Sequence, residues 1–498
     1  MMTAQSSGTP MLGMYIHQHW GYHHPYSART WTVEDWRGYA AGLTALGYNM
    51  ISIWPVMEII PDPLTPSDRA HLQKLHDVID MLHEEFGMTV FVTLGPNVIA
   101  NDNAAKYTFE ERPYFECDRR LKPSDPAEMG EFYRIRRRMF SEFLHGADGF
   151  VTIDSDPGGY VGSTNAEFVA ILRELMKIIR EVNPDAFLYY WMWIGWETYN
   201  RFWEDALAGK TKYNWSTIEQ DCDAAVRMLN EHPEEPWRLF CCMNDVHKPI
   251  IERHGLQART LHNPYGLIEG EPTFPLTNYL PANISEGLAA YDRELTQLGV
   301  LANAQTHILQ LPNTYIYAHL AKGGTLETLD LPGFAEELIP GCGAVLAPAW
   351  VAMGGEDSAR MRALAAQLSH CDASSAAGGR FAGFLFGDPA QYVADLIMQL
   401  IFRADMVDFS NAQKAGTDLR APLRALVASL KTWQAQTGFA DAYYGPFVDY
   451  LHAGLKDLHD PAIDQVIIEN EDFLTPEDRH GVVPRLIAAM EGYLAAKV

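Results

Sequence analysis

The run Gly149-Phe150-Val151-Thr152-Ile153 is short and apolar, and it ends in Asp154-Ser155-Asp156-Pro157-Gly158-Gly159-Tyr160. An apolar run stopped by a Pro-Gly-Gly turn reads as a buried strand. Residues two apart in a strand project from the same face, so Asp154 and Asp156 are expected together, with Cα atoms about 6–7 Å apart. Two carboxylates at a buried strand end are costly unless they are paired or put to work. Mutual repulsion spreads their pKa values, so one acid keeps its proton while the other ionises. Such a pair can protonate a leaving oxygen and stabilise the cation that develops, the chemistry of glycosidic-bond cleavage. Asp156, further out along the strand, is the expected acid, with Asp154 orienting or stabilising.

The elements that must hold this pair follow from periodicity. Eight short apolar runs read as strands: Met11–Trp20, Asn49–Pro55, Met88–Asn97, Gly149–Asp156, Ala186–Trp193, Trp237–Asn244, Ala258–Asn263 and Val300–His307. Amphipathic helices are expected between them. Thr32 with Asp35, Thr65 with Asp68, Thr164 with Glu167 and Ser216 with Glu219 stand at helix-capping spacing, and Gly47 and Gly87 close two helices. Alternation of this kind is the pattern of an α/β protein, a (β/α)8 TIM barrel, expected over residues 1–325; a doubly wound open sheet is the alternative, and no Gly-rich dinucleotide fingerprint follows strand one to favour it. Residues 326–498 read as an all-α C-terminal domain, with helices at Leu331–Ala352, Asp357–His370, Pro389–Phe409, Leu419–Gln436 and Pro484–Lys497. A long segment after the third strand, Ile99 to Pro123, reads as an active-site lid or rim.

In a (β/α)8 barrel the carboxyl ends of the strands carry the chemistry. Strand one offers His17, His19 and Trp20 there, and strand two Trp54 and Glu58. Asn97 follows strand three; Tyr160 stands beyond the aspartates. Strand five ends Trp191-Met192-Trp193-Ile194-Gly195-Trp196-Glu197, strand six Asn244-Asp245-Val246-His247, and strand seven His262-Asn263-Pro264-Tyr265. Asn303, Gln305 and His307 close the ring, and Glu269 and Glu271 are nearby loop acids. Aromatic faces suit the C–H faces of sugar rings, and Asn, Asp and His suit hydroxyls, so a carbohydrate substrate is expected. Of these residues Asp154, Asp156 and Asp245 are candidate catalytic groups. His19, Trp54, Glu58, Asn97, Tyr160, Trp191, Trp193, Glu197, Asn244, Asn263, Asn303, Gln305 and His307 are candidate substrate contacts.

Three patches resemble the family-84 and family-20 β-N-acetylhexosaminidases: the acids Asp154 and Asp156, the stretch Trp193-Ile194-Gly195, and the step Asn263-Pro264. The resemblance implies an enzyme whose substrate acetamide is the nucleophile, with Asp154 polarising it and Asp156 as acid/base; the long lid segment and the crowded aromatics suggest a pocket and an exo-acting enzyme. In those families the two acids are adjacent, whereas here Ser155 separates them. A barrel followed by a helical domain also resembles the α-glucuronidases, which implies an inverting reaction with Asp245 as base. Arg112, Arg119 and Arg120 would then grip a uronate carboxylate. His17-Gln18-His19 resembles the metal pair of the amidohydrolase barrels, but no lysine marks strand four and His307 stands where that family has an aspartate. A non-catalytic sugar-binding barrel is the remaining alternative.

Composition narrows the partners. With 38 basic and 64 acidic residues among 498, the net charge is −26. That field repels phosphate backbones and anionic bilayers, so neither a nucleic acid nor a membrane is expected. No leader or apolar run of spanning length is seen, which predicts a cytoplasmic protein. The six cysteines show no CxxC spacing and are expected as reduced, mostly buried thiols. No metal or cofactor is expected, and a homo-oligomer is possible.

Overall fold

A computed structural model describes residues 10–18, 26–207, 216–242, 244–264, 276–290, 293–304, 306–385, 388–437, 454–471 and 482–496. Eight parallel strands close into a barrel: β1 (Met11–His17), β2 (Met50–Trp54), β3 (Thr89–Leu94), β6 (Gly149–Ile153), β7 (Phe187–Met192), β8 (Trp237–Cys241), β9 (Thr260–His262) and β10 (Gly299–Ala304). This is the expected (β/α)8 barrel, with the eight strands in chain order around it. Each strand is shorter than its apolar run because the ladder stops where the chain turns towards its helix.

The caps hold where side-chain geometry allows. Thr65 and Asp68 form a reciprocal capping box on helix α2 (Pro66–Phe86), and Thr164 and Glu167 do the same on α5 (Asn165–Val182). Gly87 ends α2 in the left-handed conformation, at φ 60°. Ser216 and Glu219 do not make a box, since helix α7 (Ile218–Asn230) starts later, behind Thr217.

Between β3 and α4 (Pro126–Phe143) the chain makes a second, two-stranded sheet. Val98–Ala100 (β4) pairs antiparallel with Asp118–Arg120 (β5), so the expected lid is a folded hairpin. Arg112 anchors it from within. Its guanidinium is fully buried and grips both carboxylate oxygens of Asp68, at 2.6 and 3.0 Å, and the carbonyls of Ile59, Ala104 and Tyr107. Arg112 is therefore a structural cation, and the expected grip on a uronate is corrected.

The chain divides into two compact units. One comprises Met1–His17, Gly47–Leu267 and Ser285–Asn303 and holds the strands, all but Ala304 at the end of β10. Its core is the barrel interior, where Tyr15 meets Trp191 at 5.2 Å and Trp191 meets Phe240 at 6.0 Å, ring centre to ring centre.

The other unit, Gln18–Leu46 with Ile268–Ile284 and Ala304–Val498, is helical. Its first helix, α1 (Val33–Leu46), lies so close to Gly383 that a Cβ on Gly38 would fall 2.6 Å from that residue's carbonyl oxygen. The expected helix Leu331–Ala352 is two helices, Leu331–Leu338 and Gly343–Met353, broken at Pro340-Gly341, and Pro461–Glu471 is an unexpected helix. Cys342 and Cys371 form a disulfide closing a separation of 29 residues, which corrects the expectation of six reduced thiols. Cys117, Cys222, Cys241 and Cys242 are not in disulfides.

Among the described residues no helix is long and apolar enough to cross a membrane, and no group of three or more His, Cys, Asp or Glu could hold a metal ion.

Candidate active site at the carboxyl ends of the strands

Strand register decides which residues look into the barrel. Phe91, Tyr189 and Phe240 touch one another inside it, with ring centres 4.4–6.1 Å apart. Tyr189 is level with Val151, and its neighbour Tyr190 is level with Thr152. Tyr190 points outward, its ring 5.3 Å from Phe168 of α5. Asp154 shares that outward parity, and its N–H still donates to Trp191 O at 3.2 Å, so it remains on the ladder.

Asp154 is consequently buried in the layer between sheet and helices. It accepts hydrogen bonds from the Tyr190 hydroxyl at 2.7 Å and from the N–H groups of Trp193 and Ile194 at 3.2 Å. The Cys222 thiol lies 3.7 Å away. Burial pushes its carboxyl up to about 6, against these stabilising donors. With its oxygens so engaged, Asp154 ties the end of β6 to the turn after β7.

Asp156 has left the strand and is exposed, with no hydrogen bond among the described residues. Solvent reaches it although protein stands all around. That enclosure raises its pKa, and the charge of Arg120 pulls the other way. The two aspartates therefore occupy different environments, which corrects the expectation that they project together.

The partners of Asp156 come from the hairpin. Asp118 and Arg120 share one face of β5, while Arg119 faces outward to Glu131 at 3.1 Å and Glu128 at 3.9 Å. Burial pushes Asp118 up to about 6; Arg120 lowers it, while Asp156 and Glu58 raise it. Glu58 is fully buried, accepting from the Trp54 indole N–H at 3.0 Å and from the Gly95 N–H. Gly95 leaves no room for a side chain, since a Cβ there would meet Pro157 O at 2.8 Å and Glu58 at 3.2 Å. The Tyr114 phenol, buried among Glu58, Asp118 and Asp156, is held well above its ordinary pKa by burial first and their charges second. Asp118 was not among the expected site residues; the alternation Asp118-Arg119-Arg120 in a charged loop is the signal that could have found it.

The other expected residues divide by location. Trp54, with its ring 5.3 Å from His17, and Trp191 lie on the inner face. Asn263 and Asn303 are fully buried at the ends of β9 and β10, and Trp193 is half-buried after β7. Tyr160 is 37% exposed, its N–H held by Asn200 at 2.8 Å. Asn97 has a positioning role, its amide donating to Leu121 O at 2.7 Å and Gly159 O at 3.2 Å. Glu197 accepts from the first N–H of α5 at 2.9 Å and pairs with Arg201 at 3.6 Å.

Asp245 is exposed in the first turn of helix α8 (Asn244–His254), where an acid suits the helix dipole. His247 is buried, accepting from the Cys242 N–H at 3.2 Å, and burial lowers it to about 3. His307 is buried in the helical unit, edge-on to Trp31 and Tyr39 at 5.1 and 5.4 Å. His19, Trp20, Tyr265, Glu269, Glu271, Gln305 and the side chain of Asn244 lie outside the described residues.

No protein-family model and no curated protein matches the sequence. Solved structures do. A family 89 glycoside hydrolase from Clostridium perfringens, in complex with PUGNAc, aligns at 12% identity and TM-score 0.48, over 98% of this chain and 64% of that one. The chain thus spans under two thirds of that protein's length. A β-glucuronidase from Parabacteroides merdae aligns at 11% identity and TM-score 0.32, over 60% of this chain and 31% of its own. The malate synthase of Haloferax volcanii aligns at 12% identity and TM-score 0.30, over 78% and 97%.

Proposed function

We propose that the protein is a glycoside hydrolase whose reaction centre lies at the carboxyl ends of the barrel strands, with Asp156 as the acid/base. The observation that carries this reading is the setting of that carboxyl: reached by solvent just beyond the end of β6, beside Asp118 and Arg120 of the hairpin, and raised in pKa. A carboxyl so placed keeps a proton closer to neutrality and can deliver it to a glycosidic oxygen.

Cleavage also needs a group that stabilises or attacks the anomeric carbon. Asp154 cannot reach a substrate from the outer face of the sheet, so Asp118 takes the part of second carboxyl in this reading. Arg120 stabilises the carboxylate left behind on Asp156 after proton transfer. The folded hairpin walls one side of the mouth, and Tyr160 offers an exposed ring at its edge. Both features favour an exo-acting pocket. If the substrate is an N-acetylhexosaminide, Asp118 rather than Asp154 would polarise its acetamide.

The test is release of the aryl group from synthetic glucosides, galactosides, N-acetylhexosaminides and glucuronides, with wild type beside Asp156→Asn. A substrate cleaved by wild type and lost in the variant supports the assignment. Turnover that survives Asp156→Asn at wild-type rate removes Asp156 from the mechanism.

A further inference from the structure

We infer that the mouth takes an uncharged, hydroxyl-bearing ring, read by the side-chain amides of Asn263 and Asn303; this deepens the glycosidase reading and rests on it. Both residues are fully buried, and all four of their side-chain polar atoms lack a hydrogen-bond partner among the described residues. Register aims both inward. Leu261 is level with the inner residue Phe240 and with Gly299, and Leu301 packs so tightly on Gly13 that a Cβ there would lie 2.7 Å from it. Asn263 and Asn303 stand two residues beyond Leu261 and Leu301, so they share the inner face. Neighbouring strands are about 5 Å apart, which brings the two amides within reach of one small ring. On β7 the Trp191 indole N–H, also inner and buried, has no partner among the described residues either.

Buried polar groups are nearly always satisfied, and an unsatisfied one calls for a ligand or a solvent molecule. An amide offers both a donor and an acceptor, so it pairs with a hydroxyl in either sense. Charge excludes the acidic alternative. Arg112 is consumed by Asp68, Arg119 by Glu128 and Glu131, and Arg120 already faces Asp118 and Asp156. A uronate entering here would meet Glu58, Asp118 and Asp156 with no uncommitted arginine from the hairpin. Like-charge juxtaposition is a strong rejection.

The experiment is a calorimetric titration of wild type and Asp156→Asn with glucose, N-acetylglucosamine and glucuronate, repeated on Asn263→Leu and Asn303→Leu. The neutral sugars should bind and glucuronate should bind at least tenfold more weakly. Each leucine variant should lose at least tenfold in affinity and raise KM more than it lowers kcat. Each should melt no lower than wild type, because an unsatisfied amide has been removed. Equal affinity for glucuronate in wild type overturns the inference without recourse to any variant. Unchanged affinity in both folded leucine variants overturns it too, and means that the amides hold water only. If glycosides are cleaved through Asp156 while the asparagines prove indifferent, the inference fails and the glycosidase reading stands. If neutral sugars bind through the asparagines and no glycoside is cleaved, the reverse holds.

Discussion

Tyr190 donates its hydroxyl proton to Asp154 across 2.7 Å, on the side of the barrel sheet that faces the helices. This bond separates two aspartates that lie two positions apart in the chain. Asp154 secures the turn after β7, and Asp156 is left to solvent and the hairpin. Their substitutions should therefore fail in different ways.

Tyr190→Phe leaves a buried carboxylate short of a donor and should cost about 1–3 kcal/mol of stability. It should change kcat by less than a few-fold. Asp156→Asn should show the opposite profile, with turnover down about 10²–10⁴-fold and the melting temperature held. Thermal melts and steady-state rates on the same preparations check both.

The pH profile tests the proposed role of Asp156 as proton donor. Its pKa is raised by enclosure, so activity should fall on the alkaline side as the donor ionises at a pH above the usual carboxylate range. Arg120 lowers that pKa, because a cation favours the ionised form. Arg120→Gln should accordingly move the alkaline limb of kcat/KM to higher pH. A shift to lower pH would contradict the electrostatic role assigned to Arg120.

Arg112 and Asp68 form a fully buried ion pair at the root of the hairpin. Removing one partner of such a pair leaves an uncompensated charge and typically costs about 3–5 kcal/mol. Arg112→Met should show that loss in denaturant unfolding. It should also lower kcat, because the hairpin carries Asp118 and Arg120. Rescue of activity by Arg112→Lys should be poor, since one ammonium cannot replace a two-pronged grip on the carboxylate.

Denatured without reductant, the protein should expose four thiols of its six cysteines to a thiol reagent, and six after reduction. Closing a loop of this separation stabilises by about 3–4 kcal/mol in the chain-entropy model. Cys342→Ser should therefore lower the melting temperature of the helical unit.

Much of the barrel was legible in the sequence because its signals are local. Apolar runs of five or six residues, the Thr65/Asp68 and Thr164/Glu167 caps and the stop at Gly87 specify strands and helices within a few neighbouring residues. Eight such units in order leave few topologies besides the closed barrel. Trp54, Trp191, Asn263 and Asn303 could be placed at strand ends for the same reason.

What the tertiary structure decided is which side each strand end faces and what arrives beside it. Period-two alternation groups Asp154 with Asp156, but only the ladder with β7 shows that this face is the outer one. Alternation also ceases to apply once the strand stops at Ile153. Asp118 and Arg120 join Asp156 because a hairpin folds back over 18 residues, a distance no local pattern spans. The four groups gripping Arg112 come from Ile59 to Tyr107, so its burial is a property of the assembled loop. Strands and helices arise from neighbours in sequence, whereas burial, pairing and pKa arise from neighbours in space, and the chemistry of this site depends on the second.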